Sequence, residues 1–321
     1  MKYFRRAALL AAAAAFVPVL ASAQAYPVKP VRIMIPWPPG GANDVVGRVV
    51  ALRMGEQLGQ QFVVENRGGA SGTIGSDLVV KAPADGYTVM VTSATHVANA
   101  HLYRRLPYDT LKDFIGVTPL AVQVGMLVVH PALPAKNVKE FIALARARPD
   151  QLVYGSSGSG SFVHLAMALL NSVTNTKMVH VPYKGGGPAT IALASGETQA
   201  MTATIGSLIP HIASKRVRPL GVTSAKRVQQ YPDVPAISES VPGYEFVAWI
   251  GAFVAAGTPR PIVDRLNGEF RKALAQPDTA KILSAQTLDP MPMSPEDFAK
   301  LLRVDYDKYE KVIKLSGARI D

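Results

Sequence analysis

Apolar residues along this chain fall into short runs separated by Gly-, Ser- and Pro-rich breaks, and the runs alternate between the strand and the helix period. Residues 31–37 form a β-branched, apolar run that reads as a first strand. The stretch after Asp44 carries Val45, Val49 and Leu52 at spacings of four and three, which predicts a helix with those residues on one face. The order then repeats, with a strand at 62–65, a turn at 68–72, a helix at 73–81, and a strand at 87–92 after the Asp85-Gly86 turn. A strand at 152–155, a turn at 156–161 and a helix at 162–173 make a third unit, and 178–182 with 184–188 begins a fourth. Strand, turn and helix recurring in this order predict an α/β fold with mainly parallel sheets flanked by helices. After Pro259 the pattern is helical: Val263, Leu266, Phe270 and Leu274 line one face, and Phe298, Leu302, Tyr306, Tyr309 and Ile313 another, as core faces do.

Two longer apolar stretches, 117–129 and 244–255, read as strands on which the chain crosses between two lobes. On this reading residues 24–124 with 250–321 form one lobe and 125–249 the other. The strand-to-helix loops then surround a cleft between the lobes, outside the carboxyl ends of the strands, where ligands of open α/β sheets sit.

The first 23 residues stand apart. Lys2, Arg5 and Arg6 precede an apolar run from Ala7 to Leu20, and Ala21-Ser22-Ala23 supplies small residues for cleavage, so the segment reads as an export signal with the mature chain starting at Gln24. The run is shorter than the roughly 20 residues a membrane span needs. The 321 residues contain no cysteine, which excludes disulfides, thiolate catalysis, Cys-ligated zinc and a thioether lipid anchor. The chain is therefore expected to be soluble after export. Its formal charge of +11 drops to +8 once the three basic residues of the leader are removed. The remaining basic residues are scattered, with no run beyond pairs such as Arg104-Arg105, so a general attraction for small anions is expected rather than nucleic-acid binding.

Three turns carry candidate chemistry. In Pro38-Pro39-Gly40-Gly41-Ala42-Asn43-Asp44 the glycines allow a tight turn directly before a helix, so unpaired amides and the positive end of the helix dipole face one point and can hold an anion without any arginine. The plainer reading is a Gly-rich turn with Asn43 or Asp44 as an ordinary N-cap. Gly155-Ser156-Ser157-Gly158-Ser159-Gly160-Ser161, followed by a helix containing His164, repeats the device with hydroxyl donors, with a surface linker as its alternative. Lys184-Gly185-Gly186-Gly187-Pro188 is the third. Two such termini facing across a cleft can hold both ends of a dicarboxylate. Templates for nucleophilic, zinc or nucleotide chemistry are missing, and the six histidines form no close ligand pair. A hydrolase using the Ser156 to Ser161 turn and a ligand-sensing regulatory module stay open as rival readings.

The residues also carry a resemblance. Pro36-Trp37-Pro38-Pro39-Gly40-Gly41 followed by Asp44, Glu65-Asn66-Arg67-Gly68-Gly69-Ala70, Ala84-Asp85-Gly86-Tyr87-Thr88 and Val181-Pro182-Tyr183-Lys184-Gly185 resemble the substrate-binding proteins of tripartite tricarboxylate transporters, the Bug family. The match continues through Pro210-His211-Ile212, Pro232-Asp233-Val234-Pro235, Trp249 with Gly251, and Gly257-Thr258-Pro259. The resemblance implies a two-lobed periplasmic binding protein of type II-like architecture. Such a protein acts as a monomer without cofactor or metal, and delivers a small organic mono- or dicarboxylate to inner-membrane transporter subunits. It places ligand contacts on Pro39, Gly40, Gly41, Ala42 and Asp44, on Ser93, Ala94 and Thr95, and on Ser156, Gly158, Ser159, Gly160 and Ser161, to which the turn reading adds His164, Lys184 and Gly185. One departure stands out: where the family commonly has Gly-x-Val-Asp, this chain reads Gly196-Glu197-Thr198-Gln199. If position 199 reaches the ligand, Gln199 cannot pair with an ammonium group, which favours a plain carboxylate over an amino acid.

Overall fold

The computed structural model describes residues 26–320, so the predicted export signal lies outside the described residues. In chain order the elements are β1 (Val31–Ile35), α1 (Ala42–Leu58), β2 (Phe62–Asn66), α2 (Thr73–Val80), β3 (Thr88–Ser93), α3 (Thr95–Leu102), β4 (Phe114–Val129), α4 (Val138–Ala147), β5 (Val153–Ser156), α5 (Phe162–Thr174), β6 (Val179–Pro182), α6 (Gly186–Ser195), β7 (Ala200–Thr204), α7 (Ile205–Ala213), β8 (Arg218–Val222), β9 (Val247–Ala255), α8 (Arg260–Ala275), α9 (Pro277–Ser284) and α10 (Pro295–Ser316).

The strands join in the order β2-β1-β3-β9-β4-β7-β5-β6, with β8 on β4. β4 explains this length. Its 16 residues span about 50 Å: residues up to Val124 pair with β9, whereas Gly125 to Val129 lie between β7 and β8. One strand thus belongs to both halves of a curled sheet. The outer strands are parallel, β1 with β2 and β3 in one half and β5 with β6 and β7 in the other. β4 and β9 are antiparallel to their neighbours because each runs back through the sheet instead of returning by a helix. Pro119, which donates no ladder hydrogen bond, sits at a register shift in β4.

The α/β order read from the sequence holds, with one helix rotated. α1 buries Val46, Val50 and Met54, whereas Leu52 is exposed. Gly47 sets that face, since a Cβ there would stand 2.5 Å from Ile35 Cδ1, so the bare glycine lets the helix settle against β1. A large core runs beneath both halves, from Met34 and Met90 through Met126 and Phe141 to Phe246 and Tyr309, and a second fills the space between β1, β9, α1 and α8. α10 packs on α3, α5 and β4, and so touches both halves.

Candidate functional site

Helices that follow a parallel strand start at its carboxyl end, and here those ends face each other. Among the described residues, α1, α3, α5, α6 and α7 begin at one cleft of about 430 Å³. Their first residues or caps line it: Gly41, Ala42 and Asn43 for α1, Thr95 for α3, Ser161 and Phe162 for α5, Gly186 for α6, and Thr204 with Gly206 for α7. Each helix start leaves unpaired amides and roughly half a positive charge. The lining contains no Lys, Arg, Asp or Glu, and His211 is its one ionisable side chain. Trp37, Phe162, Val163, Ile191 and Met201 supply apolar wall. A cleft that is positive without a cation accepts a desolvated anion and offers little to a cation.

The first loop is held from below. Gly40 lies in the left-handed region (φ 86°), which requires a glycine, while Gly41 is extended (φ −86°, ψ 172°). Asp44 does not face the cleft. Its Oδ2 accepts the Gly40 amide and Arg48 Nε, each at 3.0 Å, and its Oδ1 accepts Asn66 Nδ2, which also donates to Trp37 O. Burial opposes its ionisation, but Arg48, the Gly40 amide and Asn66 together hold its carboxyl below the usual carboxylate range. Asp44→Asn is therefore expected to cost about 1–3 kcal/mol at pH 7, toward the lower end because the Arg48 side chain is 53% exposed. Because the folded-state pKa is depressed, the wild-type advantage is complete above the ordinary Asp pKa and is lost progressively as pH falls from there through the lower folded-state pKa. Urea unfolding of both proteins at pH 7 and in that acid range checks this: the gap should close in acid.

The serine loop follows β5. Ser157 and Ser161 line the cleft, and Ser161 Oγ caps α5 by accepting the His164 amide at 3.3 Å. Gly158 and Ser159, with Lys184, instead line a neighbouring cavity of about 660 Å³ that shares Trp37, Pro38, Pro39, Ser157 and Gly185 with the cleft. Ser71 Oγ donates to Ser159 O, a contact between the first half of the sheet and the second. Pro39, Gly40, Gly41, Ala42, Ser93, Thr95, Ser161 and Gly185 thus come together at one surface.

Other expected contacts fall elsewhere. Ala94 is fully buried, its amide donating to Trp249 O. Ser156 is fully buried, and Gly160 packs under Leu102. His164 points away from the cleft into a separate polar cavity. Gln199 lies at the far end of β5, its Oε1 accepting the Val153 amide at 2.8 Å and lining none of these cavities. It therefore says nothing about ligand charge. Sequence reasoning missed Gln123, Thr204, Ser207 and His211, all lining the cleft, as does Asn43 within the first turn. Gln123 had a signal, a lone amide inside the apolar run of β4, and its Oε1, like Asn43 Oδ1, is buried without a protein partner.

The family described as tripartite tricarboxylate transporter family receptor matches residues 46–318. Protein BugT of Bordetella pertussis is 32% identical over 304 residues, 93% of each chain. Among solved structures, an R. palustris protein with adipate is 35% identical with a TM-score of 0.88, covering 92% of this chain and 100% of its own. MatC from Rhodopseudomonas palustris with bound malate is 31% identical with a TM-score of 0.84, covering 90% and 100%. These relatives are solute-binding proteins, which removes the hydrolase reading of the serine loop. The chain belongs to the tripartite tricarboxylate transporter receptor family, the Bug group of periplasmic solute-binding proteins.

Proposed function

We propose that the protein captures a small organic mono- or dicarboxylate in the periplasm and delivers it to the membrane subunits of a tripartite tricarboxylate transporter. The observation that carries this reading is the cleft itself, where five helix starts converge and no formally charged side chain competes for a carboxylate. The bound adipate and malate of two relatives support the ligand class. On this proposal residues 24–124 with 250–321 move as one lobe against 125–249, with β4 and β9 as the crossing strands. The ligand contacts are the cleft-lining members of the loops at 39–42, 93–95, 157–161 and 185–187. Among the described residues no helix is long and apolar enough to cross a membrane. The delivered form is a monomer, one closed lobe pair per transporter.

Uptake into proteoliposomes holding the transporter's membrane subunits tests the delivery step. Labelled adipate should accumulate only when this protein is supplied on the outer side. Binding without any stimulation of uptake would reject delivery and favour a sensing role.

A further inference from the structure

Two histidines outside the cleft are stacked face to face behind the serine loop. The His164 and His180 ring centroids lie 3.9 Å apart at 11°. His164 is the third residue of α5, and its Nδ1 accepts the Gly160 amide at 2.9 Å while Ser161 Oγ accepts the His164 amide. The arrangement resembles a capping box with an imidazole at N3, except that the ring takes the amide of Gly160, the residue before the N-cap, while the Ser161 amide donates to Gly158 O. His180, on β6, places Nε2 2.6 Å from Ser156 Oγ, and that oxygen accepts the Gly158 amide at 3.2 Å. Gly158 (φ 129°) and Gly160 (φ 75°) are the loop's two positive-φ residues, the points where a glycine backbone is freest, so the hydrogen bonds fix the loop where it would otherwise move most. The residues just before and just after them, Ser157 and Ser161, face the cleft. Behind the rings lies a polar cavity of about 690 Å³ that shares no lining residue with the cleft, so neither imidazole is placed to touch a ligand there.

We propose that His164 and His180 are positioning residues for ligand capture: neutral His164 accepts the Gly160 amide directly, neutral His180 anchors the Ser156 hydroxyl whose oxygen accepts the Gly158 amide, and together they turn Ser157 and Ser161 toward the cleft. Burial pushes His164 down to about 3, with His180 adding to the shift, and burial pushes His180 down to about 4, so both rings stay uncharged at neutral pH. The proposal rests on the reading that the cleft binds carboxylates.

The test compares His164→Ala, which removes the acceptor, with His164→Asn, whose Oδ1 replaces Nδ1 although the ring stack is lost in both. Losing one buried hydrogen bond at the loop should weaken adipate binding at pH 7 about tenfold in His164→Ala, and His164→Asn should return to within about threefold of wild type. Both variants should melt lower by similar amounts, because both lose the stack. In ligand-free protein the Gly160 amide proton should move upfield in His164→Ala and return in His164→Asn. Equal affinity losses in the two variants, or wild-type affinity in His164→Ala, would overturn the proposal. If wild type itself does not bind adipate, the carboxylate reading fails for this probe. The Gly160 resonance then decides alone, and an unmoved signal in His164→Ala overturns the brace.

Discussion

Gly41→Asp is expected to weaken adipate binding about a hundredfold while leaving the fold as stable as wild type, because it sets a carboxylate where the ligand's carboxylate must sit. Gly41 is the N-cap of α1 and makes no side-chain cap, its backbone is extended, and nothing lies within 4 Å of an added Cβ. Aspartate is among the best N-caps, so the helix gains a few tenths of a kcal/mol or is unchanged. Two unit charges about 5 Å apart repel by roughly 3 kcal/mol at an effective dielectric constant near 20, which corresponds to the hundredfold loss. Gly41→Asn has the same shape and cap without the charge, and should stay within about fivefold of wild type on the same Coulomb argument. Calorimetry on both variants separates charge from crowding, and equal losses in Asp and Asn would show that the cleft selects by shape rather than by sign.

The second large effect lies in the scaffold. Trp249 on β9 is 3% exposed, stands edge-on to Phe298 at 5.1 Å, and donates from Nε1 to Asp305 Oδ2 at 2.6 Å, which ties α10 to a strand that runs through the sheet. Burial raises the Asp305 pKa, an effect that the Trp249 hydrogen bond opposes, so losing the indole leaves the carboxyl without its donor. Trp249→Ala is expected to cost about 3–5 kcal/mol, a fall in melting temperature of roughly 10 °C. Trp249→Phe keeps a ring against Phe298 and loses only the N–H, so it should cost about 1–3 kcal/mol. Because Trp249 does not line the cleft, adipate affinity of folded Trp249→Ala at low temperature should change little. A melting temperature within a degree or two of wild type would contradict this assignment.

Much of the scaffold is legible in the sequence because local chemistry dictates it. β1, β2, β3 and β5 are apolar runs ended by Gly, Pro or Ser clusters, and those clusters mark the loops at 38–44, 156–161 and 184–188. What the sequence leaves ambiguous depends on neighbours. Val45, Val49 and Leu52 form a good helical stripe, yet α1 turns Val46, Val50 and Met54 inward because Gly47 meets Ile35, a contact with no local signature. The sequence allows both glycines of the first turn the freedom for a tight bend without saying which uses it; only Gly40 is left-handed, and Gly41 is extended. Within the site, Asp44 reads as a ligand contact until Arg48 and Asn66 are seen to occupy it. His164 reads the same way until its place three residues past the cap turns it behind the loop. Gln123 and His211 reach the cleft from β4 and α7, elements far from the glycine turns in sequence and brought beside them only by the crossing of the sheet.

Thermal unfolding with matched acids and amides tests the central claim, that the cleft holds an anion through helix starts. Adipate at about a hundredfold excess over its dissociation constant should stabilise the protein by roughly 2.7 kcal/mol and raise the melting temperature by several degrees. Adipamide, with the same chain and no charge, should leave the melting temperature nearly unchanged, because helix starts favour negative charge. Equal shifts from the acid and the amide would contradict the account.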